Sequence, residues 1–267
     1  MPTGQRLYAE VLQPVGAREG IESRLFLVRS RTEFRAAIAE TTSLARTGGG
    51  PIVHLEMHGD TDGLQLASGE IMAWPELIAP LQELNVLMRM NLLVVAAACR
   101  GWHMSDILRP TARSPAWAII GPPENVRAGN VLEASSTFYS SLFSGQDFDS
   151  CVRAMNASDD IANWTYRFQV ADLLFCMIFK EYVKLFETEE SRDERIARLV
   201  VEFARSRTMD VIETAKFRLA ALETLNDDRF WYDRYKESFL LLDLFPENRS
   251  RFRLDFADCN GSDKPIS

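Results

Sequence analysis

Three short, almost uninterrupted apolar runs mark the first 155 residues. They are PIVHLEMHG, NLLVVAAAC and AWAIIG, and a glycine ends or closely follows each one. Runs of this length and composition are typical of parallel strands that are covered on both faces. Further strands are predicted at two β-rich runs near the start, RLYAEVLQPV and SRLFLVRS, and at the short run LQLAS.

Segments with apolar residues three or four positions apart separate these strands. One has Thr32 as its potential N-cap and ends at the glycine run 48–50, and WPELIAPLQEL carries Pro75 in its first turn. Strands that alternate with helices predict an α/β sandwich with a mainly parallel sheet over residues 1–155. Shorter helices are predicted at GWHMSDILRP, LEASSTFYSSLF and FDSCVRAMN.

The pattern changes beyond residue 155, where strand signals disappear and apolar residues recur at helical spacing. Polar breaks as short as TEES and NDD favour antiparallel neighbouring helices. We expect residues 156–256 to form a helical extension packed on the core, because no Pro/Gly/Ser-rich linker precedes them. Residues 257–267 form a polar tail that we expect to fray.

The helical extension is rich in aromatic side chains. Such density is typical of a core between helices, and the alternative is that part of it forms an interface with a partner. The aromatic residues are Trp164, Tyr166, Phe168, Phe175, Phe179, Tyr182, Phe186, Phe230, Trp231, Tyr232, Tyr235 and Phe239.

Charge and composition exclude several classes of partner. The formal net charge is −8, and the 30 basic residues form no cluster. Nucleic acids and anionic membranes are bound by clustered Lys and Arg, so we expect neither as a partner. The sequence shows no secretory signal and no apolar stretch of membrane-spanning length, which predicts a cytoplasmic protein.

The four cysteines are too few and too irregularly spaced for a disulfide framework or a paired Cys-x-x-Cys zinc site. Cys151 and Cys176 lie in apolar helical stripes, so we expect them in the core. Cys259 lies in the polar tail and is expected to be exposed. Only Cys99 follows directly on a predicted buried strand.

Two strand ends carry residues capable of chemistry. His58-Gly59 ends one predicted strand, and Cys99 ends another. Groups that follow parallel strands gather at one edge of the sheet, where an imidazole can activate a thiol as a nucleophile. A helix after Cys99 would favour the thiolate. The N–H groups of Gly59 and Cys99 could then hold an oxyanion.

Each of these residues also has a structural alternative. A Cys after an apolar strand is commonly a small buried hydrophobe, and an isolated His is commonly structural. His103, four residues after Cys99, is an alternative base if a helix brings the two together. His54, Glu56 and His58 suggest zinc, but on a strand the two His lie about 13 Å apart, too far to share one metal. We therefore expect no metal, and a buried, hydrogen-bonded position for His54.

The blocks VHLEMHG and LLVVAAACRG resemble the His-Gly and Ala-Cys motifs of the caspase-like (clan CD) cysteine peptidases, and most closely those of the CHAT branch. In that branch a further His commonly precedes the His-Gly motif, as His54 does here. The segments DGLQLASG, AWPELIAPLQEL and FYSSLFSG resemble the family's later blocks and follow in the same order. The resemblance covers roughly residues 50–155 and implies a caspase-hemoglobinase fold.

The resemblance also implies an activity. Cys99 would be the nucleophile and His58 the proton acceptor and donor in the hydrolysis of protein substrates, with no metal or organic cofactor. It implies a regulated bacterial effector of the defence or cell-death type, for which we expect a regulatory protein partner. Ala97 replaces the Gln or Asp that related families have, so their substrate preference does not transfer. The alternatives are a caspase-like scaffold that has lost catalysis and a small-molecule hydrolase or transferase with the same dyad.

The loops nearest the predicted dyad carry more acidic than basic residues. The acidic residues on these loops are Asp60, Asp62 and Glu124, and the basic residues are Arg100 and Arg127. A pocket that selects a charged residue needs a counter-charge. We therefore expect a preference for Arg or Lys just before the cleaved bond, with Glu124 as the main partner. The alternative is that these carboxylates are solvated loop charges.

Overall fold

The computed structural model describes residues 2–157, 166–185, 188–206 and 210–260. The chain divides into two compact units, Met1–Ile107 with Ser114–Ala171, and Leu108–Arg113 with Asp172–Ser267. The first unit contains a central, mostly parallel sheet with helices, so the predicted α/β class is confirmed. The division falls at Ala171 rather than at residue 155, because a strand follows residue 166.

The described residues include seven strands: β1 Ile52–Leu55, β2 His58–Gly59, β3 Gly63–Gln65, β4 Ile71–Ala73, β5 Leu93–Ala96, β6 Ala118–Gly121 and β7 Arg167–Val170. The central sheet has the order β1-β5-β6-β7, in which β1, β5 and β6 run parallel. β7 runs antiparallel to β6, in a stretch predicted to be helical. Every residue of β5 and β6 is buried, which explains their purely apolar runs.

The second sheet is a small antiparallel one with the order β2-β3-β4. The predicted strand PIVHLEMHG is therefore two strands, since β1 ends at Leu55 and His58 belongs to β2. A tight turn joins β2 to β3. In that turn Asp60 Oδ1 accepts the N–H groups of Asp62 and Gly63, at 2.8 and 3.1 Å.

Helices account for most of the remaining described residues. Those of the first unit are α1 Thr3–Leu7, α2 Gln13–Glu19, α3 Arg31–Arg46, α4 Trp74–Leu87, α5 His103–Asp106, α6 Ala128–Phe143 and α7 Phe148–Ala157. Later in the chain follow α8 Ala171–Lys184, α9 Glu189–Ser206, α10 Val211–Leu225, α11 Asp228–Phe239 and α12 Phe256–Asn260. The N-cap of α3 is Ser30, not Thr32, because Ser30 Oγ accepts the Glu33 N–H at 3.2 Å.

The N-terminal segment corrects the sequence prediction. RLYAEVLQPV was expected to be a strand, but a π-helical turn, Tyr8–Leu12, joins α1 to α2 and makes residues 3–19 helical throughout. Leu7 and Val11, four positions apart, share a helix face, and both pack into the core. Gly20 ends this segment with a positive φ of 70°. The second predicted strand, SRLFLVRS, forms no strand; its last residue, Ser30, is the N-cap of α3.

The core of the first unit lies between the central sheet and helices α6 and α7. Phe138 and Met155 are fully buried there against Val95 and Ile120. The ring of Phe138 meets that of Phe148 edge to face, with centroids 5.8 Å apart. Cys151 is buried in this core, as expected from its apolar stripe.

The second unit has an aromatic core of its own. Phe175 lies with its ring centroid 5.4 Å from those of Tyr232 and Phe239, and all three side chains are buried. The expectation of a core between helices is confirmed for these residues, whereas Phe230 is 44% exposed. Trp164 and Phe186 lie outside the described residues, as do residues 261–267 of the predicted tail. The expectation that the helices dock on the α/β core stays a prediction.

Cys176 is buried, as predicted, but the prediction that Cys259 is exposed was wrong. Cys259 is completely buried in α12 and forms a disulfide with Cys176 of α8, 83 residues earlier. The polar residues around Cys259 suggested an exposed tail, but the disulfide and the short helix hold this segment in place. No helix in the described part of the chain is long and apolar enough to cross a membrane.

Candidate active site

His58 and Cys99 occupy equivalent positions beyond two neighbouring parallel strands. Leu55 of β1 pairs with Ala96 of β5, and His58 and Cys99 each follow three residues later. Gly59 brings the two backbones into contact, because a Cβ placed on Gly59 would lie 2.5 Å from the Cys99 carbonyl oxygen. The structure therefore brings the two chain segments together at the carboxyl edge of the sheet.

A strained turn holds Cys99 at this edge. Arg100 has a φ of 55°, which is uncommon for a residue with a side chain. The Gly101 N–H donates to the Ala98 carbonyl at 2.9 Å and closes the turn. A Cβ on Gly121 would lie 2.8 Å from the carbonyl carbon of Gly101, so two glycine backbones pack directly together. Strained backbone of this kind is often found at functional sites.

The Cys99 thiol contacts the loop that follows β6. Its Sγ accepts the Val126 N–H at 3.3 Å, and the S–H donates to the Val126 carbonyl at 3.7 Å. The His58 side chain is exposed and makes no hydrogen bond to the described residues. The backbone segments that carry His58 and Cys99 are therefore in contact, but the two side chains are not hydrogen-bonded to each other. Catalytic hydrogen bonds are often loose before substrate binds.

The two amides predicted to hold an oxyanion are those of Cys99 and Gly59. Within the described residues, the Cys99 N–H makes no hydrogen bond. Asp60 N–H donates to the Gly63 carbonyl, at 3.0 Å, across the β2-β3 hairpin. Hydrogen-bonded pairs alternate along antiparallel strands, so Gly59, which is opposite Leu64, directs its N–H away from β3.

His103, the alternative base, does not share a helix with Cys99. Of the helix predicted at GWHMSDILRP, only the four residues of α5 are α-helical. The positive φ of Arg100 interrupts helical geometry between Cys99 and His103. His103 Nδ1 lies 2.7 Å from Asp106 Oδ2. Its ring therefore has an orienting carboxylate, which the His58 ring lacks among the described residues.

His54 belongs to a partly buried polar cluster; its predicted hydrogen bonding is confirmed, but its side chain is 14% exposed rather than fully buried. Its Nδ1 lies 3.1 Å from Tyr139 Oη, and its Nε2 lies 3.3 Å from Glu56 Oε2. Burial, together with the charge of Glu56, raises the pKa of Tyr139 above its usual value. The described residues contain no group of three metal-ligating side chains.

The three acidic residues predicted to line a substrate pocket occupy different settings. The Asp60 carboxylate stabilises its own turn, and Asp62 is exposed on the same hairpin. Glu124 lies beside the Cys99 turn, because its carbonyl accepts the Arg100 N–H at 3.0 Å. Its carboxylate is 68% exposed and lies 3.8 Å from Arg100 Nη2. Arg127 is exposed.

The contact of Val126 with Cys99 could not be predicted from the sequence. Its contact with Cys99 runs through backbone N–H and C=O groups, which every non-proline residue carries. No side-chain pattern could have indicated it. The positive φ of Arg100 left no signal in the sequence either, because arginine rarely adopts this conformation.

Comparisons with known proteins identify no family for this chain. No family model matches the chain, and no curated protein matches it. The geometry around Cys99 and the resemblance of the motifs are therefore the two observations that point to a function.

Proposed function

We propose that the chain is a caspase-like cysteine endopeptidase in which Cys99 is the nucleophile and His58 the general base and acid. The observation that carries the proposal is the contact of Gly59 with the Cys99 carbonyl, beyond paired positions of β1 and β5. A thiol and an imidazole at equivalent positions on one sheet edge supply the nucleophile and the general base that acyl transfer requires.

The proposed reaction begins with a turn of the exposed His58 ring toward Cys99. His58 takes the thiol proton, and the thiolate attacks the carbonyl carbon of the peptide bond. The resulting oxyanion accepts hydrogen bonds from the Cys99 and Gly59 N–H groups. His58 then gives its proton to the leaving amine as the C–N bond breaks, which leaves a thioester on Cys99.

Water completes the cycle. His58 takes a proton from the water molecule as its oxygen attacks the thioester, and the proton returns to Cys99 as the thiol leaves. Carboxylic acid and free enzyme result, and no step requires a metal or organic cofactor. The proposed substrate is a protein, and a regulatory protein partner would control when it is cut in a bacterial defence or cell-death response.

The proposed location is the cytoplasm, and the disulfide between Cys176 and Cys259 has to be compatible with this location. Disulfides are rare in reduced compartments, whereas Cys176 and Cys259 are joined here. A structural disulfide persists in a reduced compartment when its sulfur atoms are inaccessible to cellular thiols. Cys176 and Cys259 are 3% and 0% exposed, while Cys99 is partly exposed.

The second candidate is a caspase-like binding protein without catalysis. It is favoured by the hydrogen bonds of Cys99 to Val126, since a thiol engaged with backbone is not engaged with a base. In this case the tight glycine contacts would serve packing alone.

Labelling with a peptidyl acyloxymethyl ketone separates the two candidates. We expect modification of Cys99, located by mass spectrometry, at a rate at least tenfold above that of the His58→Ala variant. Cys151 is the internal control, because it is fully buried and burial raises the pKa of its thiol. Equal labelling of Cys99 with and without His58 would support the binding protein instead.

A further inference from the structure

The loop after β6, residues 122–127, runs antiparallel to the turn that carries the proposed nucleophile. The Trp102 N–H donates to the Pro122 carbonyl, and the Arg100 N–H donates to the Glu124 carbonyl, both at 3.0 Å. Two residues back along the turn thus correspond to two residues forward along the loop, as in an antiparallel ladder. The loop and the turn are therefore in a fixed register.

Continued by one step, this register sets Val126 opposite Ala98. The Ala98 carbonyl already accepts the Gly101 N–H at 2.9 Å. The Val126 N–H donates instead to Cys99 Sγ, at 3.3 Å, and the Cys99 S–H donates to the Val126 carbonyl, at 3.7 Å. The sulfur of the nucleophile therefore takes the place of a backbone acceptor.

Three features hold the Val126 N–H in this position. The loop begins with Pro122-Pro123, whose rings restrict the backbone. The half-buried side chain of Val126 packs against the core of the first unit. Arg127, the next residue, is the N-cap of α6, and its carbonyl accepts the Val131 N–H at 3.1 Å. The donor is therefore preorganised before any reaction begins.

We propose that the Val126 N–H is a further catalytic donor, which holds the Cys99 sulfur as it gains negative charge. This inference rests on the proposed function, in which His58 removes the thiol proton. Loss of that proton breaks the S–H hydrogen bond to the Val126 carbonyl. The N–H then donates to a charged acceptor, which is the stronger kind of hydrogen bond. The same donor faces the sulfur again when the thioester breaks and Cys99 becomes the leaving group.

Alkylation of Cys99 by iodoacetamide in the full chain tests this donor, with the modified peptide quantified by mass spectrometry. Val126→Pro removes the N–H and keeps the carbonyl. The second-order rate constant should fall by about tenfold or more, because a hydrogen bond to a charged group is lost. Val126→Ile keeps the N–H and the branched side chain and should react at the wild-type rate. Iodoacetamide carries no peptide, so its rate reports on the sulfur rather than on substrate binding.

A second variant removes the same N–H without a proline ring, which would also restrict the preceding residue. It has an ester in place of the amide between residues 125 and 126. Cys99 and Cys151 are natural junctions for ligating a synthetic segment 99–150 that contains this ester, and the all-amide ligated protein is the control. We expect the same loss of alkylation rate as in Val126→Pro. An unchanged rate in the ester protein would overturn the proposal. A faster rate would overturn it too, because the hydrogen bond would then restrain the thiol, as in the binding-protein alternative.

Peptide hydrolysis by the same proteins separates this inference from the proposed function. We expect kcat to fall in the ester protein together with the alkylation rate. A wild-type chain that hydrolyses no peptide, but whose alkylation depends on the Val126 N–H, would contradict the proposed function and support the donor. Equal hydrolysis with and without this N–H would support the proposed function and overturn the donor.

Discussion

Gly59 lies against Cys99 so closely that no side chain fits between them. A Cβ on Gly59 would meet the Cys99 carbonyl oxygen at 2.5 Å and the Ala98 Cβ at 3.1 Å. These contacts involve the backbone of Cys99 and the Cβ of Ala98, two residues beyond β5, and neither can move aside easily. The glycine therefore fixes the distance between the segments that carry His58 and Cys99.

Gly59→Ala should lower both stability and peptidase activity. Overpacking at this contact should cost about 1–3 kcal/mol in the free energy of unfolding, and displacement of the Cys99 backbone should reduce kcat. Gly129→Ala is the matched control, because nothing lies within 4 Å of a Cβ there. Urea unfolding and peptide hydrolysis measure the two effects. Equal behaviour of the two variants would contradict the close contact.

The disulfide should stabilise the second unit. Cys176→Ser with Cys259→Ser is expected to lower the free energy of unfolding by about 2–5 kcal/mol, because the bond closes a long loop. Thiol titration of the denatured protein should find two free thiols before reduction and four afterwards. Four thiols before reduction, in protein isolated under thiol-blocking conditions, would show that the bond is absent.

Tyr139 should make stability depend on pH in the alkaline range. Burial raises its pKa in the folded state, whereas an unfolded tyrosine titrates near pH 10. Its contribution is therefore complete below about pH 10 and is lost above it, by up to about 1.4 kcal/mol per pH unit. Urea unfolding between pH 8 and 11.5 should show a smaller fall for Tyr139→Phe than for the wild type. Tyr8→Phe controls for the loss of a hydroxyl group, and identical pH slopes in all three proteins would refute this contribution.

Glu124 should influence which residue precedes the cleaved bond. Glu124→Gln is expected to lower kcat/KM for Arg and Lys substrates by about two- to fivefold, since exposed ion pairs contribute about 0.2–1 kcal/mol. Added salt should reduce the difference. Asp149→Asn serves as the control, because this exposed carboxylate of α7 lies outside the loops predicted to line the pocket. Cleavage after Asp or small apolar residues, with Arg and Lys ignored, would eliminate this specificity while leaving the dyad untouched.

The sequence predicts the middle of the first unit well, because buried parallel strands have an unmistakable composition. LLVVAAAC and AWAIIG contain β5 and β6, and glycines mark the turns that follow. The position of Cys99 at the edge of the sheet follows from β5. The apolar run PIVHLEMHG does not indicate that β1 ends at Leu55. It therefore does not predict that His58 belongs to a different sheet.

The remaining errors have local causes. RLYAEVLQPV is rich in residues that favour strands, yet Leu7 and Val11 share one helix face, and this face is what the core buries. Arg167–Val170 is short and adjoins a long helix, so its pairing with β6 left no periodic pattern of its own. The disulfide joins residues 83 positions apart, a tertiary relationship that spacing alone cannot indicate.

Hydrolysis of a fluorogenic peptide panel by single variants tests the dyad most directly. Cys99→Ala and His58→Ala should each lower kcat by about a thousandfold or more, because residues that act as a unit lose function together. Both variants should keep the wild-type circular dichroism spectrum. His103→Ala, which removes the imidazole paired with Asp106, should retain most of the activity. Full activity in Cys99→Ala, or loss of activity in His103→Ala but not in His58→Ala, would contradict the assignment of Cys99 and His58 as the catalytic pair.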